Sequence, residues 1–185
     1  MLLALKVLVL LLRDLCKNKN RMSDVHINIG SNENRALKLT LALQALEQEF
    51  SNIVVSSLYE SPAEGFQGND FYNIGVNAST DKSSHEVKAI LKEVEDALGR
   101  DRELPKFSAR IIDLDLVLYD EVVDSTLNLP RSDALKYAYV LAPLAELSAF
   151  KQHPIEKRTY QELWQAFQSS RDFVLSQYNI DKLIK

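Results

Sequence analysis

The sequence predicts an α+β domain: an antiparallel sheet with two helices packed on one face and helical additions at the C-terminal end. Short strand-like segments stand at 25–29, 53–59, 70–79 and 111–118, the second a β-branched run and the others with side chains alternating between two faces. Two longer segments, 34–50 and 83–98, repeat apolar residues at helical spacing. Read in chain order these give β-α-β-β-α-β, with no internal repeats and no low-complexity tracts. That order is the ferredoxin-like arrangement, which by itself assigns no activity.

Val25-His26-Ile27-Asn28-Ile29 alternates and runs into the turn signal Gly30-Ser31-Asn32. Asn32 or Ser31 is expected to cap the first helix, whose stripe is read as Leu37, Leu41, Ala45 and Leu46. The β-branched run Ile53–Tyr59 predicts the second strand. Ser61 to Asn69 holds a proline and two glycines, so a loop follows. In the third strand Phe71, Asn73, Gly75 and Asn77 share one side, and Tyr72, Ile74, Val76 and Ala78 the other. The second helix has Ser83 or Ser84 as its cap, a stripe of Val87, Ile90, Leu91, Val94 and Leu98, and Gly99 as its stop. Residues 100–109 form a charged loop. Tyr137–Leu147 is apolar and interrupted by Pro143, and Thr159–Phe167 predicts a final helix with Trp164 half buried.

Composition bounds the chemistry. The chain has 185 residues, 46% of them hydrophobic, which fits one domain over residues 22–185. A net charge of −4 and a pI near 5.4 argue against nucleic-acid binding, which leaves a basic footprint. The single cysteine, Cys16, excludes an internal disulfide and fits a reducing cytoplasm. His26, His85 and His153 lack metal-ligand spacing. Leu2–Leu12 is apolar apart from Lys6 but far short of the roughly 20 residues that span a bilayer. Its charges follow it, and Met22 directly precedes a clean strand. Residues 1–21 are therefore read as a non-native or misannotated extension, with a short membrane-surface helix as the competing reading. No stable membrane insertion is expected.

Asp113 and Asp115 lie two apart in an apolar strand, so both point to the face of Ile111 and Val117, with Leu114, Leu116 and Leu118 opposite. Neighbouring carboxylates on a rigid strand repel, and a cation, most often Mg²⁺, is the usual reason for such a pair. Arg100, Arg102, Lys106 and Arg110 lie immediately upstream. Metal plus cations is the equipment of polyphosphate chemistry.

Several ordered pieces now match one family. They are Ile29-Gly30-Ser31-Asn32, Ser57-Leu58-Tyr59-Glu60-Ser61-Pro62, Asp70-Phe71-Tyr72-Asn73, and Glu95 followed by Gly99-Arg100 and Arg102. Arg110-Ile111-Ile112-Asp113-Leu114-Asp115, Leu129-Pro130 and Val140-Leu141 with Pro143-Leu144 complete the set. Over residues 24–150 the chain resembles 6-hydroxymethyl-7,8-dihydropterin pyrophosphokinase, a family of folate biosynthesis. The resemblance implies Mg-dependent transfer of diphosphate from ATP to the hydroxymethyl oxygen of a reduced pterin, leaving AMP. It implies two Mg²⁺ ions on Asp113 and Asp115, and catalytic roles for Arg100 and Arg110 beside them. Phe71 and Tyr139 match stacking positions for the pterin, and Asn73 its rim-reading amide, with Ser61, Pro62 and the backbone near Glu64 completing the rim. Glu95, Arg100, Arg102, Lys106, Arg110 and Arg131 are the expected ATP contacts. The loops at 63–69 and 101–109 are expected to close as lids. A monomer in the cytoplasm, with ATP and a reduced pterin as its partners, is the implied setting.

The sequence departs from the pattern at Arg131, where histidine is usual, at Ser132, where an aromatic is common, and at Tyr137, where an arginine is usual. Phe107 replaces a tryptophan and Ser108 a glycine. These changes leave open a degenerate paralogue that binds pterin or nucleotide without efficient turnover. A ferredoxin-like module for RNA or protein contact is the third reading, opposed by the acidic pI and the strand-borne aspartates.

Overall fold

The computed structural model describes residues 21–65, 67–100 and 111–183. The N-terminal stretch 1–20 and the loop 101–110, with Arg102, Lys106 and Arg110 and the lid expected there, lie outside the described residues. Strand β1 (Ser23–Ser31) leads into helix α1 (Arg35–Glu49), then β2 (Ser51–Val55), β3 (Leu58–Ser61) and β4 (Phe71–Thr80). Helix α2 (Ser84–Ala97) and strand β5 (Asp113–Tyr119) complete the core. A 3₁₀ turn at Ser132–Leu135, helix α3 (Ala138–Ser148), helix α4 (Tyr160–Ser170), strand β6 (Ser176–Tyr178) and a last 3₁₀ turn at Ile180–Leu183 follow.

The sheet runs β5-β1-β4-β3-β6, and β2 also pairs with β4. All pairings are antiparallel. With β2 and β3 counted as one interrupted strand, the core has the expected ferredoxin-like order. The interruption falls at Ser56-Ser57. There Gly75 N donates to Ser56 Oγ at 2.9 Å, and the Ser57 amide turns to Glu146 of α3 instead of the ladder. β6 was not foreseen; three exposed residues add to the β3 edge. Too few and too polar to show a period, they cover backbone groups that would otherwise be an open edge.

Alternation divides β1 cleanly because it is central. Val25, Ile27 and Ile29 join the core with Tyr72, Ile74, Val76 and Ala78 of β4, under Leu39, Ala42 and Leu46 of α1 and Val87, Leu91 and Val94 of α2. Burying each of the larger of these side chains stabilises the fold by about 1.5–3 kcal/mol. The α1 stripe keeps Leu46 but is otherwise shifted from the expected one: Leu37 is 59% exposed and Leu41 and Ala45 half-buried, while Leu39 and Ala42 are fully buried. Four leucines in seven positions leave the sequence periodicity ambiguous there, and the sheet decides. The cap also differs. Asn34 is the N-cap, with a left-handed backbone and no side-chain cap bond, because the two expected caps are engaged elsewhere. Ser31 Oγ donates to Ile111 O at 2.5 Å, and Asn32 Nδ2 to Asn69 O at 3.2 Å. Helix α2 starts as expected, with a capping box between Ser83 and Glu86, and Gly99 ends it at φ 88°.

The C-terminal additions pack on the other face of the sheet, where α3 and α4 bury Val117, Leu118, Leu141, Leu144, Tyr160 and Leu163. Trp164 is half buried, stacked on Phe167 at 5.8 Å. Leu118 was expected opposite this face, with Leu114 and Leu116. A bulge in β5 moves it: His26 pairs with Leu118 and Ile27 with Leu116, leaving Val117 as the extra residue. The carbonyl of Val117 accepts from Arg131 N at 2.9 Å. Helix α3 continues through Pro143. The proline ring seats on Gly75, where an added β-carbon would come 2.8 Å from Pro143 Cβ.

Candidate active site

On the face not covered by α1 and α2, register sets out the site as rows across three strands. Asp113, Gly30 and Asn73 form one row, and Asp115, Asn28 and Gly75 the next. Directly opposed residues share a face, so both carboxylates and the Asn73 amide open to the same side, as expected. Strands lie about 4.8 Å apart, which puts Asp113 and Asn73 about 10 Å apart at their backbones. Gly30 between them offers no side chain. A β-carbon on it would stand 2.9 Å from Asn73 Oδ1 and 3.9 Å from Phe71 Cδ1. The groove floor is therefore backbone, with Asn73 and Phe71 leaning over it.

Asn73 is 3% exposed, and its Nδ2 donates to Ser61 Oγ at 3.1 Å. Ser61 itself is buried at the end of β3, paired in register with Phe71. Pro62 is exposed just beyond it, at the rim. Tyr139 stands half buried at the start of α3, stacked on Tyr137 with centroids 5.1 Å apart and planes 15° from parallel. Burial, and then the nearby carboxylates and phenol of Glu64, Tyr137, Asp133 and Asp113, push its phenol pKa up. Glu64 of the loop after β3 and Asp113 of the acidic pair are thus both close enough to Tyr139 to act on its charge. A flat ring bearing donors and acceptors at its rim suits such a slot.

The carboxylates are not bare. Arg100 Nη1 bonds both Asp113 Oδ1 and Glu95 Oε1. Glu95 is 4% exposed on α2 and accepts from Leu114 N at 2.8 Å, so it locks the start of β5 as well as Arg100. Arg131 Nη2 lies 3.1 Å from Asp115 Oδ2, and its Nε 2.7 Å from Asp133 Oδ2. Mutual repulsion of the aspartates is thus answered in part by two arginines, not by a metal alone as the strand pattern suggested. The answer is incomplete. Burial and then Asp113 push the Asp115 carboxyl up to about 7, against the opposing pull of Arg131. A pair of hard oxygen ligands still short of positive charge fits Mg²⁺ well. Among the described residues no group of three or more His, Cys, Asp or Glu forms a denser metal cluster.

Of the expected residues, Asp113, Asp115, Asn73, Phe71 and Ser61 lie on this face, Arg131 pairs with Asp115 there, Tyr139 stands at the start of α3, and Glu95 and Arg100 reach the acidic pair from the end of α2. Arg102, Lys106 and Arg110 cannot be placed, as they lie outside the described residues. Three participants were not singled out from the sequence. Asp133 orients Arg131, and only the shared pairing reveals it. Asn28 sits beside Asp115, and its signal was available as a polar residue inside an alternating strand. Gly30 appeared only as a turn residue and within the Ile29-Gly30-Ser31-Asn32 match, with no role of its own.

The sequence profile of the 7,8-dihydro-6-hydroxymethylpterin-pyrophosphokinase family matches residues 26–149. The chain is 34% identical over 146 residues to 2-amino-4-hydroxy-6-hydroxymethyldihydropteridine pyrophosphokinase of Aquifex aeolicus, covering 76% of this chain and 90% of that one. It is 33% identical to the protein of the same name from Methylorubrum extorquens, over 69% of this chain and 84% of the relative. Crystal structures of Plasmodium falciparum HPPK-DHPS share the fold, with a TM-score of 0.67 at 15% identity for one mutant form. That match covers 82% of this chain and 45% of the longer one. No described helix is long and apolar enough to cross a membrane. With the profile spanning two thirds of its length, the chain belongs to the 7,8-dihydro-6-hydroxymethylpterin-pyrophosphokinase family.

Proposed function

We propose that the protein transfers the β,γ-diphosphate of ATP to the hydroxymethyl oxygen of 6-hydroxymethyl-7,8-dihydropterin, releasing AMP, as a step in folate synthesis. The observation that carries this reading is the shared row of Asp113, Gly30 and Asn73, with Asp115 in the next row: an acidic pair and an amide edge on one face, separated at Gly30 by a position without a side chain. Asn73, held by Ser61, reads the pyrimidinone rim. Phe71 and Tyr139 bracket the ring and hold its hydroxymethyl arm toward the aspartates.

Asp113 and Asp115 would hold Mg²⁺, two ions with ATP bound, which when present neutralises phosphate charge and aligns the displacement. Glu95 keeps Arg100 at the entrance to the acidic pair, from which its guanidinium can turn to phosphate oxygens. Arg131, fixed by Asp133, presents a second planar fork. Arg102, Lys106 and Arg110 complete the phosphate grip, and the loops at 63–69 and 101–109 close to exclude water. We read the protein as a cytoplasmic monomer whose partners are ATP and the pterin. Its domain begins at Met22, with residues 1–21 as an extension.

The test is incubation of the chain with ATP, Mg²⁺ and the hydroxymethyl pterin while AMP is followed. Release of AMP that is lost in Asp113→Ala and Asp115→Ala supports the reading; its absence in the unaltered protein overturns it. The ion pair between Arg131 and Asp115 favours a second reading, binding without turnover. Saturable pterin binding with no AMP would establish that one.

A further inference from the structure

Beneath α3 two buried polar atoms have no hydrogen-bond partner among the described residues, His26 Nε2 and Asn28 Oδ1. They belong to the same face of β1, two residues apart. Asn28 pairs in register with Asp115 on one side and Gly75 on the other. The His26 ring leans over that same Gly75, where an added β-carbon would come 2.9 Å from Cε1 and 3.2 Å from Nε2. The His26 ring thus reaches across to the glycine that pairs in register with Asn28.

The neighbours fix the tautomer of His26. Asn77 Nδ2 donates to Leu147 O at 3.2 Å and to Ser148 Oγ at 3.0 Å, which turns its Oδ1 toward His26 Nδ1, 2.7 Å away. Nδ1 thus carries the proton, and Nε2 a lone pair. Two unpaired acceptors in one buried place are a mismatch that costs about 1–3 kcal/mol for each. An Asn28 amide turned with Nδ2 toward His26 would offer Nε2 a donor across Gly75 and leave Oδ1 on the Asp115 side of the strand.

We propose that Asn28, oriented by His26, is a positioning residue of the acidic site, its amide oxygen accepting a hydrogen from the water shell of the cation that Asp113 and Asp115 hold. This rests on the reading of that pair as a divalent-cation site. Mg²⁺ and Mn²⁺ keep several waters when only one or two carboxylates bind them, and each such water offers hydrogens outward. A neutral oxygen beside Asp115 meets that need without adding to the repulsion between the carboxylates. An aliphatic residue would fill the position with no orphaned acceptor, as Val25, Ile27 and Ile29 do on the opposite face.

The probe is Mn²⁺, titrated calorimetrically into the full chain with a non-hydrolysable ATP analogue present. Asn28→Ala should bind Mn²⁺ at least about 10-fold more weakly, as loss of an outer-shell partner does. His26→Leu should weaken it in the same direction, and the double variant should be no weaker than Asn28→Ala alone. The ¹⁵N resonance of His26 Nε2 should shift toward that of a free lone pair in Asn28→Ala. A folded Asn28→Ala with unaltered Mn²⁺ affinity overturns the proposal, and Asn28→Ser serves if the alanine variant does not fold. If the unaltered protein releases no AMP while Asn28→Ala still loses Mn²⁺ affinity, the proposed reaction falls and the role of Asn28 stands.

Discussion

Replacing Gly30 by alanine puts one methyl group into the floor of the groove. Its carbon would stand 2.9 Å from Asn73 Oδ1, against an ordinary contact of about 3.5 Å, so the amide must retreat by roughly half an ångström. The amide is not free to do so, since Nδ2 is bonded to Ser61 Oγ at 3.1 Å and the side chain is buried. Rotation would break that bond or tilt the edge presented to the pterin. A misplacement of this size costs about 10–100-fold, or 1.4–2.7 kcal/mol, in alignment-dependent steps. Gly30 has no positive φ among the described backbone exceptions, so alanine itself adds no backbone strain. The expected result is a 10–100-fold loss in pterin affinity and in kcat/KM for the pterin, with the KM for ATP little changed and the melting temperature nearly so. Pterin fluorescence titration and steady-state AMP release measure both. A Gly30→Ala variant that binds pterin as tightly as the unaltered protein would refute the placement of Asn73 as the rim reader.

Other expectations follow from the same contacts. Asp115→Asn should abolish AMP release by more than about 100-fold yet raise the melting temperature, because it removes a half-buried carboxylate held beside Asp113. Glu146 accepts from Ser57 N at 3.0 Å, Ser57 Oγ at 2.9 Å and Tyr59 OH at 2.7 Å, so Glu146→Ala should destabilise by about 2–4 kcal/mol in urea denaturation. Glu146→Gln, which keeps an acceptor, should lose less. His26 is held neutral by burial, which lowers its pKa from 6.5 to about 4. A depressed folded pKa gives stability that is complete above 6.5 and drains as pH falls toward 4. About 2 kcal/mol should therefore vanish between pH 7 and pH 5, and His26→Leu should flatten that dependence.

Strand-borne chemistry was legible in the sequence because side-chain alternation is local. Asp113 with Asp115, and Phe71 with Asn73, needed only a period of two. Partner choice was not legible. Nothing near Arg131 in sequence says that Asp133 will turn it toward Asp115, and Arg100 was expected at phosphate rather than bridging Glu95 and Asp113. Leu118 was misplaced because a one-residue bulge at Val117 reverses every later side chain, and bulges answer to tertiary twist. The α1 stripe held only at Leu46, for a different reason: in a leucine-rich helix, several faces satisfy the same spacing. The split of the second strand depends on Glu146, some 90 residues away, reaching over to take the Ser57 amide.

Pro143 and Tyr139 are four residues apart on α3, one turn of the same face. The seat of the proline on Gly75 consequently sets the height of the aromatic wall one turn along, and the proline also relieves the Tyr139 carbonyl of its helical partner. Any side chain at position 75 would jack the helix off the sheet and widen the proposed pterin slot from below. The gap between its two walls is thus gauged by a glycine buried under the helix.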